Sequence, residues 1–99
     1  MARFDVYGLR QEGGLVLDCQ ADLLADLKTR FVVPLVPATE ARKAADRLNP
    51  SFNLAGETFV MATQFAAAIH VRELGDVIAS LKHEETAITN ALDMLLTGY

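Results

Sequence analysis

The chain has no tryptophan, one cysteine and two histidines among its 99 residues. A lone Cys19 excludes an intrachain disulfide and fits a reducing compartment. Cys19, His70 and His83 are too few, and too far apart in sequence, for the usual four-ligand zinc site. Basic runs are missing too. Arg42, Lys43 and Arg47 are interrupted by Ala and Asp, and the net charge is −4. An acidic chain gains no counterion-release energy on nucleic acid, so direct binding to DNA or RNA is disfavoured unless the fold assembles a local patch. No apolar stretch is long enough to cross a bilayer. Phe4 and Val6 alternate with Arg3 and Asp5 where a signal peptide would need a continuous apolar segment. We therefore expect a soluble, cytoplasmic protein with no membrane partner.

Apolar residues are plentiful. They make up 52% of the chain, more than the usual 45–50% or so. The length suits one domain, residues 1–99, with a small core. A surplus of apolar residues in so small a domain points to an oligomer interface, and a two-fold homodimer is the commonest form.

Alternation of Phe4 and Val6 with charges predicts a strand, and Leu15, Leu17 and Cys19 predict a second, joined by the polar, Gly-rich segment 8–14. Ala21 to Lys28 reads as a helical turn or a loop with an apolar tip at Leu23, Leu24 and Leu27. Phe31 to Val36 is the strongest strand signal. Pro34 within it cannot donate to a ladder and should sit at an edge, bend or bulge. Ala38 to Leu48, taken alone, reads as a helix with Thr39 as N-cap, ended by Asn49-Pro50. Phe52 and Leu54 should pair with Thr58 to Ala62 across a turn at Ala55-Gly56. Gln64 to Val71 is a further apolar, partly alternating stretch. From Glu73 the period changes. Leu81, Ile88, Ala91, Leu92, Leu95 and Leu96 fall on one arc of an amphipathic C-terminal helix packed on the sheet.

The opposite face of that helix carries Thr86, Asn90, Asp93 and Thr97 in one stripe, with Met94 beside it. A solvated face is the ordinary explanation. Two details point to a partner instead. Asp93 lies near the helix C-terminus, where the macrodipole disfavours negative charge, and the carboxylate on Tyr99 adds more nearby, with no Lys or Arg after Lys82 to offset either. Gly98 can release the chain from the helix and leave Tyr99 as a terminal aromatic, but a tail of this kind is usually frayed and is by itself uninformative. No catalytic set is evident. Cys19 reads as a buried, inert thiol. Glu84 and Glu85 are explained by the positive end of the helix dipole. Gly13-Gly14 lacks the helix and lysine of a phosphate loop. The residues thus describe a binding protein rather than an enzyme, with no cofactor and no metal.

Several segments in order resemble the CcdB family. They are Phe4-Asp5-Val6-Tyr7; Leu17 to Leu24; Thr29-Arg30-Phe31-Val32-Val33-Pro34-Leu35; Ala62-Thr63-Gln64-Phe65-Ala66; and Leu81 to Glu85 with Ile88, Asn90-Ala91 and Gly98. The resemblance spans essentially the whole chain. It implies an α+β fold, mainly antiparallel β: an SH3-like partial barrel with a small second sheet and a long C-terminal helix, in which Ala38 to Leu48 is mostly extended or loop. It also implies a homodimer with those helices near the two-fold axis. The function implied is a toxin that binds the A subunit of DNA gyrase, traps the cleaved DNA complex and is neutralised by a CcdA-like antitoxin. Carried over by position, the gyrase-binding residues would be Leu23, Leu24, Asn90, Asp93, Leu96, Thr97, Gly98 and Tyr99.

The chain departs from the family at its end. Thr97-Gly98-Tyr99 stands where the family has Trp-Gly-Ile, and loss of a Trp anchor commonly costs about 2 kcal/mol or more. Ala21 replaces a hydroxyl residue and Asp93 an amide. Two alternatives follow: a non-toxic homologue that keeps only antitoxin binding, and an endoribonuclease toxin on the same fold. The second is disfavoured by the net charge and by the lack of a clustered Arg/Thr/His set.

Overall fold

Strand alternation governs most of the molecule. The computed structural model describes residues 2–98. Among these residues seven strands form: β1 (Asp5–Leu9), β2 (Leu15–Asp18), β3 (Thr29–Pro37), β4 (Ser51–Leu54), β5 (Glu57–Met61), β6 (Ala67–His70) and β7 (Leu74–Ser80). One helix, α1 (Glu85–Thr97), follows them. Short 3-10 turns occupy Asp22–Leu24, Thr63–Phe65, Val71–Glu73 and Lys82–Glu84. All pairings are antiparallel, in the order β4-β5-β3-β2-β1-β7, with β6 also on β3. The fold is α+β: a curled antiparallel half-barrel with one C-terminal helix. The small second sheet expected from the resemblance is instead continuous with the main one, because β5 pairs directly with the end of β3.

Register sorts the side chains into two faces. Val6 stands opposite Leu17, Leu17 opposite Val33, Leu35 opposite Met61, and Phe52 opposite Phe59. This face meets Ile88, Ala91 and Leu92 of α1 in the main core, together with Phe4, Cys19 and Leu81. Burying Ile88 or Leu92 contributes roughly 1.5–3 kcal/mol each. The other face carries a smaller cluster of Tyr7, Val16, Val32 and Leu74, flanked by Leu9 and Ile69.

Pro34 belongs to a central strand, not an edge, and its position has a simple explanation. Along one side of β3, β6 pairs with Thr29–Val32 and β5 with Leu35–Pro37. Pro34 falls between these partners. Its carbonyl accepts from Ala62 N–H at 2.9 Å, and its missing N–H would face the same gap. The β4–β5 hairpin turns at Ala55 and Gly56 as expected, with φ of 52° and 85°.

Three expectations drawn from local pattern fail. Residues 38–48 form turns rather than a helix. The side chain of buried Asn49 folds back on them: its Oδ1 accepts from Ala44 N–H at 2.8 Å, and its Nδ2 donates to Met61 O and Gln64 Oε1. That tertiary anchor outweighs the local helix propensity. The region after Glu73 is not all helical either, since Leu74–Ser80 is strand β7. The apolar arc of α1 also stops short. Ile88, Ala91 and Leu92 are buried, whereas Leu95 and Leu96 are 38% and 72% exposed. No helix among the described residues is long and apolar enough to cross a membrane.

Candidate functional site

The last two turns of α1 present Asn90, Asp93, Leu96 and Thr97 to solvent. The helix ends cleanly. Gly98 adopts φ 82°, and its N–H donates to Met94 O at 3.0 Å. Thr97 Oγ1 donates to Asp93 O at 2.6 Å, which turns the hydroxyl back onto its own helix. The last turn holds no basic residue. Asp93 therefore stands uncompensated at the negative end of the dipole. Tyr99 lies outside the described residues.

Leu23 and Leu24 occupy the Asp22–Leu24 turn and are 94% and 46% exposed. Leu27 follows at 50%. These apolar tips sit on a pinned turn. Asp22 Oδ1 accepts from Arg3 N–H at 2.8 Å, and Arg3 Nε donates to Cys19 O. Buried Gln20 holds the turn from the other side: its Nε2 donates to Leu24 O at 3.1 Å while its Oε1 accepts from Phe31 N–H. The main neighbours of α1 are the Thr63–Phe65 turn and the Lys82–Glu84 turn that precedes it. The Leu23–Leu24 turn is not one of these main neighbours.

Beneath the turn lies a feature that the sequence concealed. Asp18 and Arg30 form an ion pair at 2.6 Å, both side chains fully buried. Arg30 Nε and Nη2 both donate to Asp18 Oδ2, and Asp18 Oδ1 accepts from Gln20 N–H. Asp18 pairs with Val32, which places Arg30 two residues along the same face, within reach of a long side chain. Arg30 Nη1 and Tyr7 OH have no hydrogen-bond partner among the described residues. Burial pushes the Tyr7 hydroxyl above its usual range, and the Asp5 and Asp18 charges add to that. The pair ties β2 to β3 where the chain enters and leaves the apolar loop. Cys19 is buried beside it, and desolvation pushes its thiol up to about 12. Such a thiol is inert at neutral pH. No group of three or more His, Cys, Asp or Glu among the described residues could hold a metal ion.

Solved structures share this architecture. An endoribonuclease from a mycobacterial species, in complex with its cognate antitoxin, superposes with a TM-score of 0.81 at 16% identity, over 97% of this chain and 94% of that one. The Mycobacterium tuberculosis toxin MazF-mt6 gives 0.73 at 16%, over 90% and 92%. A further M. tuberculosis toxin gives 0.71 at 17%, over 88% and 94%. At these identities the likeness concerns the fold. The model of the CcdB protein family matches residues 3–98, and the chain belongs to the CcdB family.

Proposed function

We propose that this chain is the toxin of a toxin–antitoxin pair, that it acts as a homodimer in the cytoplasm without catalysing a reaction, and that it binds the A subunit of DNA gyrase and traps the cleaved complex. A CcdA-like antitoxin neutralises it. Family membership and the fold likeness to toxins both support the toxin class. The observation that carries the gyrase reading is the end of α1: a capped, ordered helix that exposes Leu96 at 72% beside an uncompensated Asp93. An apolar side chain held open on a rigid element has the character of a binding anchor. Exposed Val77 and Ile78 on β7, an edge strand with a free side, support self-association.

A pull-down with the gyrase A fragment tests this. Wild-type protein should bind, Leu96→Asp should lose binding, and Thr97→Trp should tighten it by about tenfold or more, the effect of regaining an aromatic anchor. Indifference to both substitutions would remove the helix end from the interface. A second reading, an RNA-cleaving toxin, is favoured by the likeness to the mycobacterial endoribonuclease. Cleavage of RNA by the purified chain, together with arrest of gyrase-resistant cells, would select it over the first.

A further inference from the structure

The face of the sheet that α1 leaves bare carries a groove of about 490 Å³. Leu9 and Ile69 line it, and both pack on the Tyr7–Val16–Val32–Leu74 cluster. Arg10 and Glu12, from the end of β1 and the connection to β2, flank it, as do Arg72 and Glu73 from the turn after β6. Sixty-odd residues separate the two arginines in sequence, and β7 pairing with β1 brings their elements together.

Both arginines stand on fixed backbone. Arg10 N–H donates to Glu73 O at 3.0 Å, and Arg10 Nε donates to Leu74 O at 2.8 Å. This anchors the guanidinium by one nitrogen and leaves its two terminal nitrogens for other acceptors. Arg72 sits in a turn closed by reciprocal caps. Its N–H donates to His70 Nδ1 at 3.1 Å, and His70 N–H donates to Glu73 Oε2 at 3.3 Å. The ion pairs among the described residues are Asp18–Arg30 and Lys43–Asp46. Neither groove arginine takes part in one, although two glutamates line the same groove. Two guanidiniums that line one groove with Leu9 and Ile69, and that form no ion pair among the described residues, suit an anion with an attached apolar ring. Arginine holds phosphate oxygens in a two-pronged geometry, and a groove of this size takes a ligand of nucleotide dimensions.

We propose that this groove is a binding site for a nucleotide phosphate, held by Arg10 and Arg72 with the base against Leu9 and Ile69. A free mononucleotide and the phosphodiester of single-stranded RNA share that chemistry. The site is separate from the helix end and does not depend on gyrase binding.

Binding of AMP, UMP and a labelled six-nucleotide RNA to the full chain at low salt tests the proposal. At least one should bind saturably. Arg72→Ala should weaken it by about tenfold, the loss of one charge-assisted contact, and Glu12→Gln should strengthen it. Arg10→Ala also removes the bond to Leu74 O, so Arg72→Ala is the decisive variant, since the Arg72 side chain makes no hydrogen bond among the described residues. RNA binding without mononucleotide binding identifies RNA as the source, and the reverse identifies the free nucleotide. The proposal is overturned if none of the three binds, or if Arg72→Ala binds as wild type does.

Discussion

The two faces of the sheet solve burial differently. The face under α1 is closed by apolar side chains from six strands and the helix. The opposite face buries an ion pair, leaves Tyr7 OH and Arg30 Nη1 without partners among the described residues, and opens into two grooves. The second groove, about 370 Å³, is mainly apolar and runs along Pro34, Val36 and Val60 to the exposed ring of Phe65. The lesson is a division of labour. One face supplies stability by area, and the other spends some of it on charge placed in a low-dielectric interior.

The largest test of that contrast is Asp18→Ala, which leaves Arg30 buried and unpaired. It should destabilise the protein by about 3–5 kcal/mol in urea unfolding. The double substitution Asp18→Leu with Arg30→Met should restore most of the loss, since an apolar pair carries no desolvation penalty. A single variant as stable as wild type would erase the difference between the faces. On the helix side, Ile88→Ala should cost about 2–4 kcal/mol by opening a cavity. Its effect on nucleotide binding in the opposite groove should be absent once the remaining folded protein is counted. The smallest effect is alkaline. The thiol of Cys19, in the helix-covered core, stays neutral up to about 12 when folded but ionises near its ordinary value of 9.0 when unfolded. Stability should therefore be flat below pH 9 and fall from there toward 12. By pH 10 the loss is about 1.4 kcal/mol, one pKa unit's worth. Cys19→Ala should flatten that limb; an unchanged limb would leave Tyr7, on the other face, as the group responsible.

Much of this architecture is legible in the residues. The Phe31–Val36 run, the Phe52/Leu54 hairpin with Gly56 at its turn, and the Ile88–Leu92 arc each carry a local pattern with a physical cause. Strand β7 escaped because Gly75 and Asp76 break its alternation. That glycine is required by packing: a Cβ there would lie 2.8 Å from Gly8 O. The false helix at 38–48 arose because propensity is local while the Asn49 anchor is tertiary. Asp18 and Arg30 looked like ordinary strand charges, since only the β2–β3 register makes them neighbours. The groove arginines were invisible for the same reason. By contrast, the exposed Leu23 and the uncompensated end of α1 could be read directly, because each depends on local sequence alone.

The divided edge of β3 also shapes how the molecule assembles and opens. This strand touches β2 on one side and both β6 and β5 on the other. Its partners come from before it and after it in the chain, so its contacts close large loops, which slows folding. None of the three pairings can outlast the loss of β3. Amide protons along Val32 and Val33 should exchange only when the whole molecule unfolds, and the β4–β5 hairpin at the sheet margin should exchange well before them.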